Sequence, residues 1–439
     1  MINVRKEAYK IISKTLKNNV FSDKLLQKVI KKLRKEKKDT NFLYMLVKGV
    51  IKMKKNLDYI ARQFTDESRF DKTNLKIKII LYLGLYQIKF CDFIPSHAAV
   101  NETVELAKQT FGDKVAKFIN AVLRSYLRNP KIQYPENEVR RIATEHSYPE
   151  KIVEYWINEF GEENAEYLAM YFNEVPRLHM RVNPLATSRR RVKNYFANRD
   201  VETQNSKYSR NVLTSNHPSL VLNNISFEEG YFSIQDTSSV AVVELLDPMP
   251  DESIIDFFAG RGGKASYISE LMNDTGELIA IDKFPKKVKQ MKRAFERLNL
   301  KNTNYVVEDA FKFGPVAPAY DRVIIDVPCS GWGVFQKKSE LRWQQNQDLK
   351  SLLKIQEKAL NNGAKFIKPG GIFVYSTCTM NKAENEEQID KFLKKHKNFK
   401  LEDASNYVHS DLTENKFLKT YPHIHHVDGV FAARMKKDN

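Results

Sequence analysis

Apolar residues recur at helical spacing from the start of the chain. Val4, Ala8, Ile11, Ile12 and Leu16 fall on one face with lysines between them. "NLKIKIILYLGLYQIKF" is apolar nearly all round, which predicts the central helix of a bundle. "IPSHAAVNETVELAKQTFG" places a proline and a serine before a helical pattern and a glycine after it. "DKVAKFINAVLRSYLRNP" opens on Asp113 as the expected cap and stops before Pro130. Residues 1–135 are therefore expected to form a helical domain. Residues 136–230 are mixed: a polar, proline-punctuated connector, then "PEKIVEYWINEF", "LHMRVNPL" and the basic "SRRRVKNYF", which together predict a small α+β subdomain.

The period changes in the last region, 231–439. After residue 250, short β-rich runs ("SIIDFFAG", "GELIAID", "TNYVVED", "YDRVIIDVPC", "GIFVYSTCT") alternate with helical stretches such as "FPKKVKQMKRAFERLNL". That alternation predicts a doubly wound, mainly parallel α/β sheet, whose ligands sit at the carboxyl ends of strands.

Composition narrows the classes. The 439 residues suffice for two or three domains with sizeable cores. No long uncharged apolar run occurs and "MINVRKEAYK" lacks the apolar core of a signal peptide, so a soluble, cytoplasmic protein without membrane contact is expected. Three cysteines with no C-x-x-C pair exclude a disulfide framework. Net charge is +18, and residues 1–60 hold 17 Lys and Arg against 5 Asp and Glu. Positive charge concentrated at one end attracts phosphate polyanions, so a nucleic acid is the expected partner.

"IIDFFAGRGGKAS" is a strand entering a glycine-rich turn and then a helix. Glycines let backbone approach a ligand, and a helix N-terminus offers free N–H groups. Gly260-x-Gly262-x-x-Ala265 fits the dinucleotide fingerprint, and Asp282, ending the next strand, can accept hydrogen bonds from a ribose. These residues alone leave a nicotinamide cofactor and S-adenosylmethionine both open. Asp309, expected to close the third strand, would lie near the adenine end of such a cofactor. Cys329, in "DVPCSG", and Cys378, in "YSTCT", each follow a predicted strand of the same sheet, so their thiols can converge on one cleft. A thiolate adding to carbon 6 of a pyrimidine makes carbon 5 nucleophilic, and a carboxyl group such as Asp326 can hold the base at N3 and N4. "HIHHVDG" offers three histidines without a convincing further ligand, so no metal is expected. Trp332 and Trp343 can stack on bases or pack internally, and "SRRRVKNYF" can touch phosphate.

"DVPCSGWG" and "YSTCTMNKAENE" resemble the P-C and T-C motifs of RNA (cytosine-5)-methyltransferases. "FFAGRGGK" is similar to that family's cofactor loop, and "QDTSSV" and "DGVFAARMKK" to its flanking motifs. "IPSHAAVNETVELAK" and "INAVLRSYLR" resemble a NusB-like RNA-binding domain, a fusion found in enzymes acting on 16S rRNA. The resemblance implies a Rossmann-like methyltransferase domain with S-adenosylmethionine as cofactor. Its implied partner is 16S rRNA or a small-subunit assembly intermediate, with cytosine 967 as target and a monomeric enzyme. It implies Cys378 as nucleophile, Cys329 as the thiol that helps release product, and Asp326 against the target base at the cofactor boundary. The implied cofactor site is Phe258, Ala259, Gly260, Arg261, Gly262, Gly263 and Lys264 with Asp282, Asp309 and Asp326. Arg261 and Gly260 stand where that loop usually has proline and alanine. Gln336, Lys337 and Ser339 stand where the family often has two arginines and a proline, in a loop expected to face substrate. The other function classes compatible with the residues are a non-catalytic RNA-binding assembly factor and a nicotinamide-dependent oxidoreductase.

Overall fold

The computed structural model describes residues 3–36, 39–222, 225–314, 320–344 and 348–439. The chain divides into two compact units, Met1–Glu174 with Phe335–Gln345, and Val175–Val334 with Asn346–Asn439.

The first unit is helical. Leu75–Phe90 is its central helix, capped by Asn74, whose side chain accepts the Lys76 amide; Ile79 to Leu85 are all buried, as the unbroken apolar run predicts. Val4–Asn18, Thr40–Lys52, Ser96–Phe111 and Asp113–Arg128 pack around it through Ile12, Leu46, Val50, Leu106 and Leu123. Asp113 is the first helical residue rather than the cap: Gly112, at φ 85°, turns the chain there, and no side chain caps the helix. Three further helices, Glu138–Glu145, Glu150–Phe160 and Glu162–Tyr171, belong to the same unit.

The segment Phe335–Gln345 inserts into this unit from far along the chain. Phe335 is fully buried among Tyr148, Trp156 and Phe172, with ring centroids 5.6–6.2 Å away. Burying such a ring contributes roughly 2–3 kcal/mol. Trp343 donates its indole N–H to the Ile51 carbonyl at 2.8 Å. Glu340 accepts from Ser22 and from the Lys48 ammonium. The fully buried Arg342 reaches Asn173 Oδ1 at 2.8 Å and the Phe172 carbonyl at 3.1 Å, stacked on Tyr148. The expectation of a substrate-facing loop fails here: Gln336 and Ser339 are buried, and Trp343 is spent on packing.

Among the described residues, the second unit holds two sheets. Four short strands, β1 (Leu178–Val182), β2 (Gln204–Asn205), β3 (Val212–Ser215) and β4 (Phe232–Ile234), form an antiparallel sheet in the order β2-β3-β1-β4. With the helix Arg189–Ala197 they make a small α+β element that starts later than the expected 136, since residues up to Glu174 belong to the helical unit, and ends past 230, since β4 is Phe232–Ile234.

The larger sheet comprises β5 (Ser253–Asp256), β6 (Glu277–Ile281), β7 (Thr303–Val306), β8 (Tyr320–Asp326), β9 (Ile367–Thr377), β10 (Phe399–Leu401), β11 (Thr413–Glu414), β12 (Phe417–Lys419) and β13 (Phe431–Lys437). Its order is β11-β12-β13-β9-β8-β5-β6-β7, with β10 beside β13. Strands β5 to β9 pair in parallel and β13 runs antiparallel to β9. Ile254, Ile255, Val323, Ile324, Phe373 and Val374 are fully buried, the near-continuous apolar pattern of strands covered on both faces. Chain order reverses at β5, which lies between β6 and β8, so the binding crevice belongs at the carboxyl ends of β5 and β8.

Candidate active site

The thiols and most of the carboxylates singled out from the sequence gather along that edge. Asp282 follows β6, Asp326 ends β8, and Cys329 and Cys378 follow β8 and β9; a further acid, Asp256, ends β5. Asp309 is displaced from its expected place. Strand β7 stops at Val306, because Asp309 turns the chain by accepting the Phe311 amide at 3.0 Å while its carbonyl takes the Lys312 and Phe313 amides. Asp282 is buried, with the Phe284 amide at 2.9 Å and the Lys287 ammonium at 3.0 Å on its two oxygens.

The glycine turn forms because Gly260 and Gly262 take positive φ, 60° and 83°. The Gly262 amide closes the turn on the Ala259 carbonyl at 2.8 Å, and the helix Gly263–Leu271 starts at once. A Cβ on Gly262 would meet Met291 at 2.6 Å, whereas one on Gly260 would meet only the Phe258 carbonyl at 3.8 Å. Gly260 thus faces open space, as a backbone approached by a ligand requires. Arg261 is exposed, and Phe258 sets its ring edge-on to Phe311.

Lys264 bends from this helix to Asp326, with Nζ 2.7 Å from Oδ2, while Oδ1 takes the Ser376 hydroxyl at 2.9 Å. Burial pulls the Lys264 ammonium down, but Asp326, the bond to it, and the charges of Cys378 and Asp256 outweigh burial and leave it above the usual lysine value. Asp256 was not singled out from sequence. Burial first, then the Asp326 charge, push it up to about 7. An acid ending the strand before the glycine turn is the signal that marks it.

Cys329 and Cys378 lie with Sγ atoms 3.2 Å apart. The β8–β9 register pairs Asp326 with Ser376, so each thiol projects just past its strand. The Cys378 amide also points at Cys329 Sγ at 3.3 Å. The hydrogen bond to Cys378, then burial, then the charges of Cys378 and Glu384 push the Cys329 thiol well above the ordinary range. Cys329 is thereby held as the protonated thiol of the pair.

The flanking motifs support this edge from behind. Gln235 of "QDTSSV" accepts from Arg181, whose guanidinium also holds the Gly263 carbonyl at 2.9 Å and Glu270 at 2.7 Å, both side chains fully buried. Asp236 caps the helix Thr237–Leu246 and accepts the Asp428 amide at 3.0 Å. The Gly429 amide in turn donates to the Gly333 carbonyl at 2.8 Å. Sequence reasoning missed Arg181, because its partners lie more than fifty residues away. Of the histidines of "HIHHVDG", His426 is exposed, whereas His425 is buried, stacks on Tyr421 and accepts its amide, and burial brings His423 down to about 4. A cavity of about 620 Å³ beside Tyr208, Glu244 and Leu271 lies at the other end of the helix Gly263–Leu271 and includes neither thiol. No helix among the described residues is long and apolar enough to cross a membrane.

Comparisons with known proteins identify the family. Residues 243–436 match a family described as 16S rRNA methyltransferase RsmB/F, and residues 2–128 match the NusB family. The chain is 32% identical over 446 residues to a probable ribosomal RNA small subunit methyltransferase B of Synechocystis, covering all of both chains. It is 33% identical to the Bacillus subtilis protein of the same description, with 99% of each chain covered. Among solved structures, PH0851 superposes with a TM-score of 0.83 at 23% identity, covering 100% of this chain and 99% of that one. NSun6 from Pyrococcus horikoshii, crystallised with SFG, superposes at 0.60 and 22% identity, covering 67% and 99%. The chain belongs to the RsmB/F family of S-adenosylmethionine-dependent methyltransferases, with a NusB-type helical domain at its amino end.

Proposed function

We propose that this enzyme methylates carbon 5 of a cytosine in 16S rRNA, with Cys378 as nucleophile and Cys329 as the thiol that completes release. The observation that carries the reading is the pair of thiols in contact beside Asp326 at the carboxyl ends of β8 and β9. The names of the RsmB relatives support small-subunit rRNA as substrate, and the resemblance of the whole chain, NusB-like domain fused to catalytic core, suggests cytosine 967.

Phe258–Lys264, Asp282 and Asp309 would hold the cofactor; the glycine turn, the open side of Gly260 and the acids past β6 and β7 suit a ribose-bearing ligand. When bound, S-adenosylmethionine would supply an electrophilic methyl carbon, its sulfur keeping the electron pair of the S–C bond that breaks. The chain's own residues do the rest. Asp326, fixed by Lys264 and Ser376, accepts hydrogen bonds from the N4 amino group and from N3, which takes a proton from water as electron density moves onto the ring and returns it when the adduct collapses. The Cys378 thiolate forms a bond to carbon 6, and the C5–C6 double bond shifts its electron pair to carbon 5. Carbon 5 takes the methyl group and then carries both methyl and proton. Cys378 is now a thioether, so the bond that raised the Cys329 thiol is gone. Cys329 releases its proton to water and takes the one at carbon 5. The electrons of that C–H bond restore the double bond and expel the Cys378 thiolate.

Two variants and one substrate analogue test the scheme. Cys378→Ala is expected to abolish methyl transfer to rRNA while cofactor binding by calorimetry survives. Cys329→Ala is expected to accumulate a protein–RNA adduct that resists denaturing electrophoresis, as is the wild type on RNA carrying 5-fluorocytosine. Absence of any adduct in all three would remove the covalent scheme, and a labelled methyl group on another base would remove the cytosine assignment.

A further inference from the structure

Glu384 and Asn385 follow Cys378 in "TCTMNKAENE", and no part of the scheme above uses them. Glu384 is fully buried, and among the described residues no cation lies within ion-pair distance of it. Its carboxylate is satisfied by neutral donors instead. The Ser330 amide lies at 2.9 Å, the Ser330 hydroxyl at 2.5 Å and Gln356 Nε2 at 2.9 Å. Gln356 also donates to the Pro328 carbonyl at 3.0 Å. Glu384 therefore grips both neighbours of Cys329, Ser330 directly and Pro328 through Gln356.

Asn385 does the same for the other thiol. Its Oδ1 accepts the Thr377 hydroxyl at 2.6 Å and its Nδ2 donates to the Thr379 carbonyl at 3.0 Å. Thr377 and Thr379 are the two neighbours of Cys378. The Ser330 and Thr379 hydroxyls meet at 2.8 Å, and the Tyr375 hydroxyl anchors the Glu384 carbonyl at 2.5 Å. Two consecutive residues thus bracket one cysteine each. A buried carboxylate without a cation is costly to keep, and a structural filler would need neither charge nor this pattern of donors.

We propose that Glu384 and Asn385 are positioning residues that set the separation of the two sulfurs, each fixing the loop of one cysteine. The inference rests on the reading that both thiols serve one pyrimidine. Glu384 also contributes, after the Cys378 bond and burial, to holding the Cys329 proton in place.

Cross-linking by diamide measures sulfur separation without any RNA. The two thiols give up two protons and two electrons, which reduce the diazene to its hydrazine, and a Cys329–Cys378 disulfide forms. Peptide mapping follows its rate in the full chain. The wild type is expected to link fastest. Glu384→Ala and Asn385→Ala are expected to link at least about tenfold more slowly, with kcat for methyl transfer falling further than the KM for cofactor changes. Ser330→Ala removes only one arm of the grip, so it keeps the question open to measurement if the larger changes do not fold; slower linking with an unchanged melting temperature is expected. Wild-type linking rates in every variant that folds, or a lowered melting temperature with no change in linking, would overturn the proposal. Methyl transfer assayed in parallel separates the two readings. Glu384-dependent linking in a chain that methylates no cytosine leaves the positioning role standing and removes the pyrimidine. Cytosine methylation with linking indifferent to Glu384 does the reverse.

Discussion

Two glycines near the site differ in what a methyl group would meet. At Gly333 a Cβ would lie 1.9 Å from the Gly429 carbonyl oxygen and 2.6 Å from its carbon, both backbone atoms that no rotamer change can move. Gly333 also donates to the Cys378 carbonyl at 3.0 Å, so any shift drags the thiol loops. Overpacking of this kind costs roughly 1–3 kcal/mol. Gly333→Ala is expected to lower the urea midpoint and to remove most methyl transfer. At Gly260 the only cost is the left-handed backbone, about 1–2 kcal/mol. Gly260→Ala is expected to fold and bind cofactor within several-fold of wild type, in line with the alanine that the family's loop usually has there. A Gly333→Ala protein as stable and active as wild type would mean that the two loops are slack. An unfolded Gly260→Ala protein would mean that the turn tolerates nothing but glycine.

The helix Thr40–Lys52 ends on a lysine in unusual surroundings. Lys52 gives hydrogen bonds to the Asn173 and Glu174 carbonyls at 3.1 Å each. Burial first, then the charges of Arg342 and Lys48, bring its pKa down to about 7. Between pH 7 and the ordinary lysine value the unfolded chain binds this proton and the folded chain does not. Stability therefore rises with pH across that window, and the penalty is full below pH 7. Lys52→Met keeps the stem and loses the charge. Relative to wild type it is expected to be more stable at pH 6 than at pH 9, by a difference of ~2–3 kcal/mol, read from melting temperatures at the two pH values. A gap independent of pH would show an ordinary lysine. This cluster was invisible in the sequence, because "SELRW" carries a glutamate, an arginine and a tryptophan that suit an exposed loop. Only partners some 170–320 residues away bury it. The strands after residue 250 were legible for the opposite reason: a parallel sheet buries both faces, so β5, β8 and β9 are written as local apolar runs that end on the chemistry. The thiol pair was legible as two strand ends of one sheet. The residues that bracket it, Glu384 and Asn385, were not, since polar side chains in loops look alike until their partners are known, and neither was Arg181 behind the glycine turn.

At the scale of the whole molecule, charge and topology together decide how RNA binding can be tested. The helix Ser22–Lys35 exposes Lys24, Lys28, Lys31, Lys32, Arg34 and Lys35, the densest part of the positive excess. Removing the amino-terminal helices is the direct test that the sequence suggests, but it would strip the partners of Glu340 and Trp343 and leave charged and aromatic side chains unsupported. Loss of activity would then report damage rather than weaker attraction to phosphate. Charge reversal avoids this, because each of these side chains is exposed and Leu26 and Leu33 keep the buried face. Changing Lys24, Lys28, Lys31 and Lys35 to glutamate is expected to leave the melting temperature and the diamide linking rate unchanged. Affinity for 16S rRNA fragments should fall, and the slope of log K against log salt should flatten by ~0.7 for each phosphate no longer neutralised on single-stranded RNA. A slope equal to that of the wild type would place the phosphate-binding cations elsewhere, with the exposed arginines Arg190 and Arg191 of the helix Arg189–Ala197 next to be reversed.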